Sequence, residues 1–436
     1  MKRVLIVSPH FPPTNAPDCQ RVRMSLPFFA AHGWAPVVLA VDAAHVEAPL
    51  DPLLAATLPA DLPVHRVGAW PARWARRLGL GNLAYRAWFP LAAVGARLLR
   101  ASRFDLVYFS TTQFVATALG RRWRARFGVP YVIDVQDPWR TDYYERPGAP
   151  PPPGGWKYRT ARWQAARLEA AAWRDAAGFI SVNPDYLAQL DARYPWFAAK
   201  PSAVIPFGAP EADFAFVRGR ADPAPAFVRV PGAVHCVSVG AVGPIMRGAL
   251  EKLFAALAAL RAAEPTVATR LRFHFIGTSY APAALATPSV APLAARFAVA
   301  DLVHETPARI GYFAALQTQL AADAIVIPGS DDAAYNPSKL GACYLADRPT
   351  LALAPRGSTF ARAVRELAFA TIADLGDPGD VDAIRDFLRA LGAGRPPLPP
   401  RRPAEFAATH TARARTAQQC ALFARALARA STPDGF

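Results

Sequence analysis

Residues 329–349 read GSDDAAYNPSKLGACYLADRP and follow Pro328 and the apolar run Ala324-Ile325-Val326-Ile327. That run has the length and composition of a buried strand. Asn336 is a residue type that caps a helix, Pro337 suits a first helical position, and Ser338 and Lys339 then fall in the first turn. A lysine in that turn opposes the helix dipole unless an anion lies between the ammonium and the helix end. Two readings stand: a capped helix with a solvated Lys339, or a site where Ser338 and Lys339 hold a phosphate. The second accounts for the lysine, and a nucleotide phosphate suits a strand-turn-helix unit.

Other strand ends carry further candidates. SVGAVGPIMRGALEKL, residues 238–253, places Gly240 and Gly243 in a close turn and Arg247 near the first turn of a helix. There Arg247 is either solvated or grips a diphosphate. Gly277, followed by Thr278 and Ser279, permits a ligand close to the backbone or marks an ordinary turn. YVIDVQDPWRTDYYE, residues 131–145, sets Asp134 and Asp137 three apart with Trp139, Arg140, Asp142 and two tyrosines behind. Carboxylates accept hydroxyl hydrogen bonds and aromatic faces pack on sugar C–H surfaces, so this turn suits sugar recognition; the plain alternative is an Asp-Pro turn. SPHFPPTNAPDCQRVR, residues 8–23, lacks the glycines of a phosphate turn. It is a proline-stiffened loop in which Asn15 or Asp18 caps the helix bearing Arg21 and Arg23, or it contacts an acceptor.

These residues need strands and helices to position them, and the chain supplies both in alternation. Strand-like runs fall at 4–7, 37–41, 106–109, 131–135, 178–182 and 203–206, then at 235–239, 272–276, 302–304, 324–327, 350–353 and 369–372. They are mostly continuous rather than alternating, as strands buried on both faces are. Leu250, Leu253, Phe254, Leu257 and Leu260 form a stripe at helical spacing. The pattern predicts an α/β protein of two doubly wound parallel sheets. The expected boundaries are a first domain at 1–207, a linker at 208–232, a second domain at 233–402 and a final helix and tail at 403–436. The proline- and glycine-rich residues 148–155 read as a loop.

With 436 residues, 53% hydrophobic and 19% charged, the chain can bury two cores. No run of about 18 apolar residues occurs, and the N-terminal apolar run ends at Pro9, which predicts a first strand and a cytoplasmic protein. Cys19, Cys236, Cys343 and Cys420 stand singly and the histidines show no ligand spacing, so no metal and no cofactor is expected. The net charge of +16 favours phosphorylated or anionic partners; without a nucleic-acid motif, nucleic acid is set aside. Residues 70–104 mix tryptophan, leucine and arginine without one acidic residue, and RRWRARF at 121–127 is similar. Such segments lie in an anionic membrane interface or form a helical hairpin solvated by arginine.

With these residues in place, the chain resembles the GT-B glycosyltransferases, specifically the family-four-like bacterial group. VLIVSPHFPP with RVRMSLPFFAAHGWAPVVLAV is similar to their opening strand, helix and second strand, and FGVPYVIDVQDPW to a later strand and acidic-aromatic turn. SAVIPFGAP looks like the entry to the linker, SVGAVGPIMRG like the donor-phosphate turn, and NPSKLGACYLADRPTLAL like the helix and strand near the donor. The resemblance implies two Rossmann-like domains facing a cleft, acceptor on the first and nucleotide-sugar donor on the second, and a last helix crossing back to the first.

By that resemblance Gly240, Gly243, Arg247, Gly277, Ser338 and Lys339 bind the donor, with the cations neutralising the leaving diphosphate. Asn15, Arg21 and Trp139 bind the acceptor, and Asp134 or Asp137 orients or deprotonates its hydroxyl. The acceptor would be a glycan or a lipid-linked species at the inner face of the cell membrane. Departures are also present. The glutamate pair usual in the family falls at Ala334 and Ala342, with Asp331 and Asp332 nearby as replacements for the first; Ala241 stands where an arginine is frequent. A non-catalytic nucleotide-sugar-binding protein and a nucleotide-sugar epimerase are the alternatives.

Overall fold

A computed structural model describes residues 1–140, 144, 155–279, 281, 283–332 and 338–430. Asp142, residues 148–154, Ala334, Asn336 and Pro337 lie outside the described residues.

Seven parallel strands build the first sheet: β1 (Lys2–Val7), β2 (Trp34–Val41), β3 (Val64–Val67), β4 (Leu106–Ser110), β5 (Tyr131–Val135), β6 (Gly178–Ser181) and β7 (Ser202–Val204), in the order β3-β2-β1-β4-β5-β6-β7. Six build the second: β8 (Val234–Val239), β9 (Leu271–Ile276), β10 (Val303–Thr306), β11 (Ala324–Pro328), β12 (Thr350–Pro355) and β13 (Thr371–Leu375), in the order β10-β9-β8-β11-β12-β13. Both are doubly wound α/β sheets. Strand order reverses between β1 and β4 in one and between β8 and β11 in the other, the positions where such sheets bind ligands. β3 was not expected; its sequence Val-His-Arg-Val is too short and polar to stand out.

Alternation along each strand sends neighbours to opposite faces, and both faces are covered. In β1, Leu5 and Val7 join one core with Trp123 and Trp173, while Val4 and Ile6 join another with Phe29 and Phe423. The second sheet packs on the helix Arg247–Ala263, whose Leu250, Leu253, Phe254, Leu257 and Leu260 are all buried, as their spacing predicts.

The chain divides into two compact units, Met1–Gly208 with the C-terminal helix, and Ala209–Thr411. The stretch read as a linker contains a helix, Glu211–Val217, which docks within the second unit: Tyr312 donates to Asp213 at 2.8 Å and Gln317 to the Val217 carbonyl at 2.8 Å. The final helical pattern is two helices. Pro403–Thr409 stacks Phe406 on Tyr344 in the second unit, and Ala412–Ala430 belongs to the first. There Leu422 and Phe423 are wholly buried, each worth about 1.5–3 kcal/mol, and Gln419 donates to Ser25 at 2.9 Å.

Candidate functional site

In the second unit, four loops converge at the carboxyl ends of β8, β9, β10 and β11. Gly240 leaves β8 with φ +120° and its N–H bonds the Ile276 carbonyl at 2.8 Å. The Val242 N–H bonds the Thr278 carbonyl at 2.9 Å, the Gly277 N–H bonds the Thr306 carbonyl at 2.7 Å, and the Asp331 N–H bonds the Ile245 carbonyl at 2.7 Å. Gly277 itself takes φ +73°, which suits glycine, whereas Gly243 at φ −89° does not require one.

Lys339 lies at the β8/β11 switch point. Its Nζ donates to the Val239 carbonyl at 3.2 Å and sits 3.7 Å from where a Cβ on Gly240 would lie, so the glycine admits the ammonium to the turn. Burial holds the Lys339 pKa below the usual lysine value. The helix here begins at Leu340, so Ser338 and Lys339 form the turn before it rather than its first turn. Arg247 opens the helix Arg247–Ala263 and pairs with Glu251 at 2.9 Å on the surface. The Asp331 carboxylate stands beside the same first turn, with Oδ1 3.3 Å from where a Cβ on Gly248 would lie. Asp332 is half-buried, and its N–H bonds Ser330 Oγ at 3.1 Å. Two cations, a close-approach glycine and one carboxylate thus share one rim, an arrangement able to grip a diphosphate and touch what is attached to it.

In the first unit, Arg21 and Asp134 form an internal ion pair, Nε to Oδ2 2.8 Å. Asp134 also accepts from Ser110 at 2.8 Å and Gln136 at 2.9 Å; Arg21 donates to the Ile205 carbonyl at 2.6 Å and lies over the Phe207 ring. Close by, His10 Nδ1 lies 2.9 Å from Asp18 Oδ1. Asp137 is exposed just past β5, with its pKa raised by desolvation and by the charge on Asp18. Trp139 stacks on Phe114 at 5.6 Å.

Residues 20–208, all in this unit, match the family described as glycosyl transferase 4-like domain. The whole chain has the GT-B fold. Similar solved structures include Anabaena Alr3699/HepE in complex with UDP (14% identity, 97% of this chain, 100% of that one, TM-score 0.58). Another is a UDP-forming α,α-trehalose-phosphate synthase from Burkholderia xenovorans (12%, 99% and 100%, TM-score 0.57). A third is WaaG, a glycosyltransferase involved in lipopolysaccharide biosynthesis (13%, 99% and 96%, TM-score 0.51). No curated protein matches the chain in sequence.

Within the first unit, three sequence-based assignments need correction. Asp134 and Arg21 are sealed from solvent by each other and by the Ile205 carbonyl, so neither presents its charge to an acceptor hydroxyl. Neither Asn15 nor Asp18 caps the helix Gln20–Ser25, whose N-terminus carries no side-chain cap. Asn15 is half-buried and its N–H bonds the Pro49 carbonyl at 2.8 Å. Trp139 keeps one face on Phe114 and packs against Trp173. RRWRARF is not an interfacial strip either: Trp123 is core, its ring seated where a Cβ on Gly95 would be 2.2 Å away. Sequence reasoning missed the cluster that His10, Thr111 and Thr112 form around Asp18, which it had read only as a helix cap. The only local signal was a histidine three residues past the end of the first strand.

Proposed function

We propose that the chain is a glycosyltransferase that takes a sugar from a nucleotide-sugar donor on the second unit and passes it to a glycan or lipid-linked acceptor on the first, in the assembly of a cell-surface glycan. The observation that carries this is the convergence of Gly240, Arg247, Asp331 and Lys339 at the β8/β11 switch point of a chain whose other unit matches the family described as glycosyl transferase 4-like domain. Arg247 and Lys339 neutralise the diphosphate as the bond to the sugar breaks. They do so without a metal ion. Asp331 or Asp332 hydrogen-bonds the transferred sugar. UDP is the first nucleotide to test, because the HepE structure holds UDP.

The workplace is the inner face of the cell membrane. Trp70, Trp74, Leu78 and Phe89 are exposed large apolar side chains, and the Trp74 ring lies under the guanidinium groups of Arg73 and Arg77 at 5.5 and 4.9 Å. This mixture suits anionic headgroups over acyl chains. Among the described residues, no helix is long and apolar enough to cross a membrane.

Thermal shift with UDP, GDP, ADP and TDP and their common sugars tests the donor site. At about 100 times its Kd a ligand adds roughly 2.7 kcal/mol. A shift with one diphosphate that Arg247→Ala removes is the expected result. No shift with any of them ends the reading. A second reading, a binding protein without turnover, is favoured by Ala342 at a position where the family carries a glutamate. It predicts nucleotide binding with no release of diphosphate from any nucleotide sugar.

A further inference from the structure

We propose that the first unit holds an anion site of its own, at the amino ends of its strands, which takes the phosphate monoester of a small organic molecule. All its walls belong to that unit, and it exists whether or not the chain transfers a sugar. An open cleft of about 860 Å³ lies between the starts of β1 and β2, the approach to β4 and the exposed side of the helix Ala412–Ala430. Ligand clefts commonly measure about 300–1,000 Å³. The ligand-binding edge of such a sheet is the opposite one, where the carboxyl ends of the strands lie. The six residues of β1 put roughly 17 Å between the two edges.

Cations gather on one rim. Lys2 and Arg103 are exposed, Arg3 is half-buried, and all three line the cleft. Aromatic rings rather than carboxylates hold two of them. Lys2 Nζ lies 5.8 Å from the centroid of the Trp34 ring, and the Arg3 guanidinium lies 4.6 Å from that of Phe104. Such contacts orient a cation without cancelling its charge. Among the described residues, Arg103 has no hydrogen bond or ion pair, and no carboxylate pairs with Lys2 or Arg3. Asp105 is the one acidic residue lining the cleft, and its Oδ2 accepts from the Arg3 N–H at 2.7 Å. Three cationic side chains thus stand against one carboxylate, and His32 at the same rim adds a donor. The surplus matches a phosphate monoester, which carries about two negative charges near neutral pH.

The facing wall is apolar. Trp34 is buried at the start of β2, Cys420 is 6% exposed, and Ala421 and Ala424 offer only methyl groups on the exposed turns of the helix. Burial pushes the Cys420 thiol up to about 12, so this wall carries no negative charge. The side chains that leave the cleft open are the small ones, and the cations stand across from them. The ligand is therefore two-sided: a phosphate at the rim and a carbon skeleton against Ala421 and Ala424. A sugar phosphate and a lipid phosphate headgroup share that chemistry. Either one bridges the strand starts to the C-terminal helix and so binds the folded first unit alone.

The test is calorimetric titration of the full chain with glucose 6-phosphate and with dihexanoyl phosphatidic acid below its micelle concentration. At least one of them should bind the wild type and, equally, Arg247→Ala, which lacks a cation of the second unit. Lys2→Gln combined with Arg103→Gln changes two exposed side chains, should melt as the wild type does, and should weaken binding about tenfold or more. Ala424→Trp should weaken it as much with every cation in place, because the indole fills the cleft. Binding of the lipid without the sugar phosphate makes the source a headgroup, and the reverse makes it a free ester; both support the site. Weakening in the charge variant alone shows diffuse attraction rather than a site and overturns the proposal. So does equal binding in the wild type and both cleft variants, loss of binding in Arg247→Ala, or no binding of either phosphate.

Discussion

Arg21 and Asp134 form an ion pair that solvent does not reach: the atoms are 2.8 Å apart and the side chains 2% and 0% exposed. The pair ties the helix after β1 to β5 and, through the Ile205 carbonyl, to the segment after β7. Removing one partner strands a buried charge, which costs about 3–5 kcal/mol. Arg21→Met and Asp134→Ala should each lower the unfolding free energy measured by chemical denaturation by that amount. If Asp134→Ala unfolds like the wild type and loses only turnover, Asp134 returns as a catalytic candidate.

Arg247 and Lys339 should separate binding from stability. The Arg247–Glu251 pair is exposed and worth about 0–1 kcal/mol, so Arg247→Ala should melt within a degree or two of the wild type. Lys339 is half-buried, its ammonium bonded to the Val239 carbonyl and its pKa lowered by desolvation. A lysine with a depressed folded pKa binds fewer protons folded than unfolded, so the unliganded protein should gain stability as pH rises from the folded pKa toward the unfolded one. Lys339→Met should remove that slope without lowering the melting temperature. Both variants should lose at least tenfold in nucleoside diphosphate affinity, measured by calorimetry. Unchanged affinity in both would show that the diphosphate binds elsewhere.

The residues that were legible in the sequence are those whose partners lie close by or whose burial is two-sided. Val4, Val107, Ile133 and Val326 announce strands because nothing polar interrupts them, whereas Val64–Val67 carries a histidine and an arginine and does not. Gly240 stood out because it leaves an obvious strand, and Arg247 and Lys339 because each falls near the helix start that follows one. Arg21 read as a ligand contact because nothing near it in the chain signals burial; Asp134, which buries it, is more than a hundred residues on. The same distance hid the His10–Asp18 pair, whose meaning depends on Thr111 and Thr112 after β4. Trp123 looked interfacial for want of any sign that Gly95 makes room for it.

Two histidines in the second unit, His235 and His274, should make it acid-sensitive. His235 Nε2 accepts from the Val230 N–H at 3.0 Å, so its Nδ1 carries the proton and donates to His274 Nε2 at 2.9 Å. Phe227 stacks on both rings, and His304 stacks on His274 at 5.4 Å. Burial first, then the charges of His235, His304 and Arg272, pushes the His274 pKa down to about 4; burial also lowers that of His235. Folded His274 is therefore neutral where the unfolded chain, near 6.5, is protonated. Stability should fall as pH drops from about 6.5 to about 4 and level off below, at up to about 1.4 kcal/mol per pH unit for each such histidine. Thermal melts across that window should show the slope, and His274→Phe should flatten it. An equal slope in the variant would place the acid sensitivity elsewhere.

Membrane binding and folding should come apart at Trp74 and Trp123. Trp74 and Phe89 are 54% and 66% exposed, so replacing both by serine removes little from the core and should leave the melting temperature unchanged. The same change should reduce co-flotation with vesicles containing anionic lipid, because it removes the apolar part of an interface otherwise held by arginine charge. The remaining binding should then collapse as salt is raised and the Debye length shrinks from about 10 Å at 0.1 M to about 3 Å at 1 M. Trp123→Ala should do the reverse. Its ring is buried against Gly95 and Phe109, so truncation costs about 3–5 kcal/mol, while the protein that remains folded should float as the wild type does. A wild type that stays in solution with anionic vesicles at low salt removes the membrane from the proposed function and leaves Trp74 and Phe89 as surface residues only.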